Sequence, residues 1–474
     1  MHANEERPKT VGDGQGSGIG TGGAQSTQVR TLWHTDTLAI PPLAPEPGRI
    51  VIGERLVLMP IGEDDLERSS ILDVVSYDVD LNLTHGPETF RSRTEVRFRC
   101  RKAGVASFAD LHAVRVGRAT LNGADLNPAA GCQPGRLELP RLADENTLIV
   151  EAEFGYVSAA KGLNYVTNPA DPDGSPFVYA NSRGPSHIYC CFDRPDLRAA
   201  FTVSVTTPAG WWCLANAPVV SRPPAGERGI WRFAPTPPVP PWLTSLCAGS
   251  LRGSASENYQ RDNGHPLPIT IQAVPSVPEE PTTIPELLRQ SLRFYERRLV
   301  PYPYGKCDLV FGPVSPALAQ AVTGLIVIQD QVLRDSRDGS DDTGLYLNAV
   351  IAHELAHAWF GGLVTMPPED GWLDEALTTY ISRTALEEIM PGCTPWAAQT
   401  SATLPDHAYA GDAAAIRQLE DLIGRQAVID GLAALLRRHA HSQATPADLV
   451  ACWSKASEQD LRAWAAQTLR ETKR

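Results

Sequence analysis

Between about residues 50 and 250 the apolar positions recur at every second residue. Val75, Tyr77, Val79, Leu81 and Leu83 alternate with Ser76, Asp78, Asp80 and Asn82, which predicts a strand with one buried and one solvated face. Val96 and Phe98, the stretch Leu148 to Phe154, and Phe201, Val203 and Val205 repeat the pattern, and Asn122-Gly123 predicts a hairpin turn. Together they predict an antiparallel β-sheet domain. After a polar, glycine-containing stretch from Gly249 to His265 the period changes. Thr283 stands where a helix cap belongs, with Pro285 in the first turn, and Leu288, Leu292, Tyr295 and Leu299 mark one face at helical spacing. Cys307 to Phe311 and Gly324 to Ile328 read as strands. From about residue 345 the chain is mostly helical, with Ile416, Leu419, Leu422 and Ile423 on one side and a helix start at Thr445-Pro446-Ala447-Asp448. No internal repeat is visible. The fold class is therefore α+β: a flexible tail over 1–45, an N-terminal β domain over 46–255 and a mainly helical domain over 256–474. The glycine-rich run Gly12 to Gly18 has no strand before it and reads as linker.

Within the helical part, His353-Glu354-Leu355-Ala356-His357 carries the chemistry. If residues 346 to 361 are helical, His353 and His357 stand one turn apart on the same face and can aim a ring nitrogen at one ion. Catalytic zinc takes three protein ligands and keeps one position open, so a third group is needed, and Glu375 in Trp372-Leu373-Asp374-Glu375 is the candidate. Glu354 projects about 100° round the helix from His353. It can therefore reach a metal-bound water without binding the metal, which is where a general base belongs. Val350, Ile351 and Leu355 predict that this helix is buried, a setting in which two histidines and a glutamate need a reason to be present.

At 474 residues the chain can hold two or three domains, and its apolar and charged fractions of 42% and 20% are those of a globular protein. No run approaches a membrane span, and the first residues lack the apolar core of a secretion signal, so a cytoplasmic location is expected. Nine scattered cysteines without a Cys-x-x-Cys pair argue against a disulfide framework and against a thiolate zinc site. The net charge of −13 disfavours nucleic acid as a partner.

Four segments carry a family likeness. Trp359-Phe360-Gly361-Gly362-Leu363-Val364-Thr365-Met366 and Trp372-Leu373-Asp374-Glu375 follow the histidine pair; Tyr302-Pro303-Tyr304-Gly305-Lys306 precedes it; Cys191-Phe192-Asp193-Arg194-Pro195 lies further upstream. These resemble the "WFGNLVTM", "WLNE", "PYPFGK" and "CFDEP" stretches of the M1 family of zinc aminopeptidases, which includes leukotriene A4 hydrolase. The resemblance spans about residues 70 to 470. It implies an N-terminal antiparallel β saddle domain followed by a thermolysin-like, mainly helical zinc catalytic domain. It implies one zinc ion held by His353, His357 and Glu375, with Glu354 as base. Tyr409 would steady the oxyanion, since Glu420 follows it by the family's eleven residues, although Gly411 and Asp412 replace the family's Lys and Gly. Members usually carry a further helical domain that roofs the site. Its absence from this sequence implies an open cleft or one closed by a second subunit in a homo-oligomer.

The sequence departs from the family at four further places. Seventeen residues rather than eighteen separate His357 from Glu375, the gap falling in the loop Met366 to Gly371, where Glu369 is a rival ligand. The family's "GAMEN" segment falls on Leu318 to Thr323, so that Ala321 replaces the glutamate that holds the substrate's free ammonium, with Gln320 beside it as a neutral substitute. Asn181 falls near the family's substrate-contacting glutamine, and a turn asparagine is an equal reading. Asp374, where the family has asparagine, is either a group behind the ligands or an exposed helix acid. The expectation is a zinc metallopeptidase or amidohydrolase not strictly dependent on a free N-terminal amine. The alternatives are a non-catalytic scaffold of the same fold and a hydrolase of a non-peptide substrate such as an epoxide.

Overall fold

A computed structural model describes residues 63–126, 132–133, 135–158, 161–167, 174–181, 184–277, 283–314, 318–335, 341–396 and 407–471. The predicted tail and its glycine-rich run lie outside the described residues.

The alternating segments form an eight-stranded sheet. Its order is Val219–Ser221, Gly229–Phe233, Ala200–Thr207, Leu72–Asn82, Thr89–Cys100, Glu145–Gly155, Arg115–Leu121 and Ala124–Asp125. All neighbours are antiparallel except Leu72–Asn82 and Ala200–Thr207, which run parallel. A bulge between Val74 and Ser76 corrects the predicted inward set: Val74 turns into the core and Val75 is 46% exposed, after which Tyr77, Val79 and Leu81 face inward as expected. Asn122 and Gly123 both take positive φ (52° and 80°) in the hairpin between the last two strands, as the primed turn requires.

A second, four-stranded sheet, Trp212–Ala215, Leu246–Gly249, Pro176–Asn181 and Gly162–Thr167, joins the two halves of the chain. Successive side chains of a strand point to opposite faces. Val178, Ala180, Cys213 and Ala248 enter the core of the β half, while Phe177, Tyr179, Leu214 and Cys247 enter the core of the helical half.

The stretch read as a polar boundary carries the strand Arg252–Gln260, first of a five-stranded sheet continued by Pro266–Ala273, Cys307–Gly312, Leu325–Gln329 and Ala319–Val322. The helix Ile284–Arg298 makes the crossover between its parallel strands Pro266–Ala273 and Cys307–Gly312. Thr283 is its cap residue and a proline stands in its first turn, with no side-chain cap bond. Tyr295 on this helix donates to the Ala352 carbonyl at 2.8 Å and packs at a tilt against Trp359, tying it to the helix Asp341–Ala356. The helices Trp372–Ile389, His407–Ile423, Arg425–Arg438, Pro446–Ser457 and Arg462–Glu471 follow it along the chain. Thr445 and Asp448 form the predicted reciprocal cap. Among the described residues no helix is long and apolar enough to cross a membrane.

Candidate metal and catalytic site

The helix Asp341–Ala356 is apolar on most sides because Val350, Ile351, Ala352 and Leu355 are buried, and it delivers His353 and Glu354, each 6% exposed, at its C-terminal end. His357 lies one residue past its last helical position, yet its N–H still donates to the His353 carbonyl at 3.3 Å. The one-turn spacing predicted for the pair is thereby kept, and the rings meet edge to face with centroids 4.8 Å apart. Gly362 lets the chain reverse closely after this helix: a Cβ there would come within 2.6 Å of the His357 carbonyl. The helix Trp372–Ile389 then returns with Glu375 in its first turn.

Glu375 Oε2 lies 3.3 Å from His353 Nε2 and 3.5 Å from His357 Nε2. Among the described residues these three form the group of His, Cys, Asp or Glu whose donor atoms converge, within 4.8 Å of one another; Glu369 is not part of it. The two carboxylate–imidazole distances fit a tetrahedral divalent ion, because ligand bonds of about 2.0–2.1 Å at tetrahedral angles place donor atoms about 3.3 Å apart. The far sides of both rings are occupied as well. His357 Nδ1 meets the Phe360 carbonyl at 3.1 Å and Thr378 Oγ1 at 3.3 Å, and His353 Nδ1 is 3.5 Å from Thr379 Oγ1, which turns both Nε2 atoms toward Glu375.

The electrostatics favour a cation at this point. Burial alone would lower the His357 imidazole, but Glu375 and Glu354 outweigh it and raise it to about 9. Burial would raise Glu375, and the two imidazoles instead hold it far below the usual carboxylate range. Glu354 is pushed up by burial, partly offset by His357, His353 and a hydrogen bond from the Ala321 N–H. Asp374 accepts the Met366 N–H on both oxygens, at 3.2 and 3.1 Å, and so closes the loop that links the two ligand helices; burial raises its carboxyl to about 7. It lies behind the ligands and faces that loop.

Ala321 sits in the edge strand Ala319–Val322 and brings its backbone N–H to Glu354. Gln320 Nε2 donates to the Ala180 carbonyl at 3.1 Å, bridging this strand to the four-stranded sheet. The backbone of Asn181 ends the neighbouring strand Pro176–Asn181; its side chain, like that of Tyr409 in the first turn of the helix His407–Ile423, lies outside the described residues. Glu420 on that same helix accepts from Tyr380 at 2.8 Å, fastening it to the Glu375 helix.

The sequence reading missed Thr378 and Thr379, although they stand one turn beyond Asp374 and Glu375 and periodicity alone brings them behind the histidines. It also missed Arg198, which reaches from the β half to donate to Thr365 Oγ1 at 2.8 Å and to the Gly362 carbonyl at 3.4 Å. Contacts across more than 160 positions leave no local signal in the sequence.

Residues 285–406 match the peptidase family M1 domain and residues 181–243 match the peptidase M1 N-terminal domain. The chain is 32% identical to aminopeptidase N of Streptomyces lividans, over 85% of this chain and 51% of that protein. It is 30% identical to a probable aminopeptidase 1 of Sulfurisphaera tokodaii, over 50% of this chain and 28% of that protein. The chain thus spans about half the length, or less, of these curated relatives. In fold it is similar to Legionella pneumophila aminopeptidase A, solved in complex with aspartic acid, with a TM-score of 0.71 at 19% identity over 84% of this chain and 49% of that one.

Proposed function

Because the chain belongs to peptidase family M1, we propose that it is a zinc-dependent hydrolase of peptide or related amide bonds. The observation that carries this reading is the convergence of His353, His357 and Glu375 beside the buried carboxylate of Glu354. These three would hold one zinc ion, which when bound supplies a Lewis acid for the scissile carbonyl and its attacking water. Glu354 takes the proton of the attacking water and returns it to the leaving nitrogen. Thr378 and Thr379 keep the imidazoles in register, and Tyr409 donates its phenolic hydrogen to the oxyanion as the carbonyl becomes tetrahedral.

The relatives are named aminopeptidases, but at Ala321 this chain offers a methyl group where the family has an ammonium-binding carboxylate. A charged amine drawn into a partly dry cleft without a counter-charge costs on the order of several kcal/mol. The substrate class we propose is therefore a peptide or amide whose recognition does not require a free N-terminal amine.

Two measurements test the reading. Glu354→Gln should keep one zinc per chain, read by metal analysis, while peptide hydrolysis falls by about a thousandfold or more; full activity in this variant sinks the assignment. A free-amine peptide and its N-acetylated twin should be cleaved with similar kcat/KM, and a strong preference for the free amine would contradict the proposed specificity.

A further inference from the structure

Among the described residues the strand Ala319–Val322 has a partner on one side only, Leu325–Gln329, and four residues of edge strand form few ladder bonds. Both of its ends are nevertheless fixed by the β half. At one end Gln320 donates to the Ala180 carbonyl. At the other, Asn216, 5% exposed, donates from Nδ2 to the Thr323 carbonyl at 2.9 Å, to Thr323 Oγ1 at 2.8 Å and to the Leu243 carbonyl at 2.9 Å, while its Oδ1 accepts the Ser245 N–H at 2.7 Å. The next residue, Gly324, has φ +78° and its Cα lies so close to the Asn216 carbonyl that any Cβ would overlap it. Lys306, paired with Asp308, donates to the Gly324 carbonyl at 3.1 Å.

Between these anchors the Ala321 N–H donates to the Glu354 carboxylate. Alternate N–H groups of an edge strand point away from its partner, so this donor is available without breaking the ladder. We infer that Asn216 and Gln320 are positioning residues for Glu354: by clamping the Ala319–Val322 strand at both ends they hold the Ala321 N–H where it aims the carboxylate. A base must be held to within about half an ångström to work well. The inference rests on the reading of Glu354 as the base only for its kinetic consequence; the clamp itself is independent of metal and substrate.

The test uses the full chain and Thr323→Val, which removes one acceptor of Asn216 and leaves its bonds to the Thr323 and Leu243 carbonyls, with Thr323→Ser as the conservative control and Gln320→Met at the other end. Hydrogen exchange on metal-free protein should show the Ala321 amide protected in wild type, about tenfold faster in Glu354→Leu and in Thr323→Val, and restored in Thr323→Ser. Exchange at Ala321 that is indifferent to Glu354→Leu or to Thr323→Val overturns the clamp. On the peptide that wild type cleaves, Thr323→Val and Gln320→Met should lower kcat about tenfold with KM within about twofold and zinc content unchanged, and Thr323→Ser should recover kcat. A change confined to KM, or none, overturns the positioning role. A wild type inactive on every peptide but with the predicted exchange pattern would reject the hydrolase reading and leave the clamp standing.

Discussion

At the scale of single residues, the site divides into what local periodicity dictates and what distant chain supplies. His353, Glu354 and His357 were legible because helical spacing alone puts them together, and Glu375 because a third ligand was required and one helix start nearby offered it. Asn216 and Arg198 were not legible, since each meets its partner across more than a hundred positions and neither belongs to a motif. In the proposed function Ala321 is the residue on which specificity turns. Its backbone N–H reaches Glu354, so a carboxylate on its side chain would supply the missing counter-charge for an ammonium group while adding a like charge near Glu354. Ala321→Glu should therefore raise the ratio of kcat/KM for a free-amine peptide over its N-acetylated twin by at least about tenfold, roughly 1.4 kcal/mol. It should also slow cleavage of the acetylated peptide. An unchanged ratio would show that the amine is recognised elsewhere.

At the scale of elements, the alternation of apolar and polar residues predicted the strands but not their pairing. It could not reveal the bulge that turns Val75 outward, because a bulge adds one residue without changing composition. Nor could it reveal the parallel pairing of Leu72–Asn82 with Ala200–Thr207, which joins segments far apart in the chain. The short turn Pro185–His187 shows how such distant elements are pinned. His187 stacks on His112 with ring centroids 4.1 Å apart, and His112 bonds Ser186 through its backbone N–H at 2.8 Å and its Nδ1 at 3.1 Å. Burial, His112 and Lys161 together depress the His187 imidazole to about 4; burial and Lys161 also lower His112, against the pull of Asp110. Below about pH 6.5 the unfolded chain binds a proton at His187 that the native state refuses. Stability is thus lost as the pH falls from about 6.5 toward about 4. His187→Gln removes this contribution, so its urea midpoint should drop less than that of wild type between pH 7.5 and pH 5; equal drops would show that the stacked pair does not govern the pH response.

At the scale of the whole molecule, the change of period near residue 250 marks a change of sheet and helix content without marking a separable joint. The four-stranded sheet belongs to both cores at once: Phe177 and Tyr179 are packed among the residues that surround the ligand helices, and Val178 and Ala180 among those under the eight-stranded sheet. Arg198 and Asn216 add polar ties across the same seam, to the loop between His357 and Glu375 and to the turn after the strand Ala319–Val322. Neither half can lose this sheet and keep its core closed. The described β and helical halves should therefore unfold in one transition in spite of their size, with tryptophan fluorescence, far-UV circular dichroism and release of bound zinc tracing the same denaturation curve. Val178→Ala, which opens space only in the core of the β half, should lower all three curves together by about 2 kcal/mol. If zinc release kept its wild-type midpoint while the β signal shifted, the halves would be energetically independent and the clamp on Glu354 would lose its physical basis, because a strand can be held in place only by a neighbour that stays folded with it.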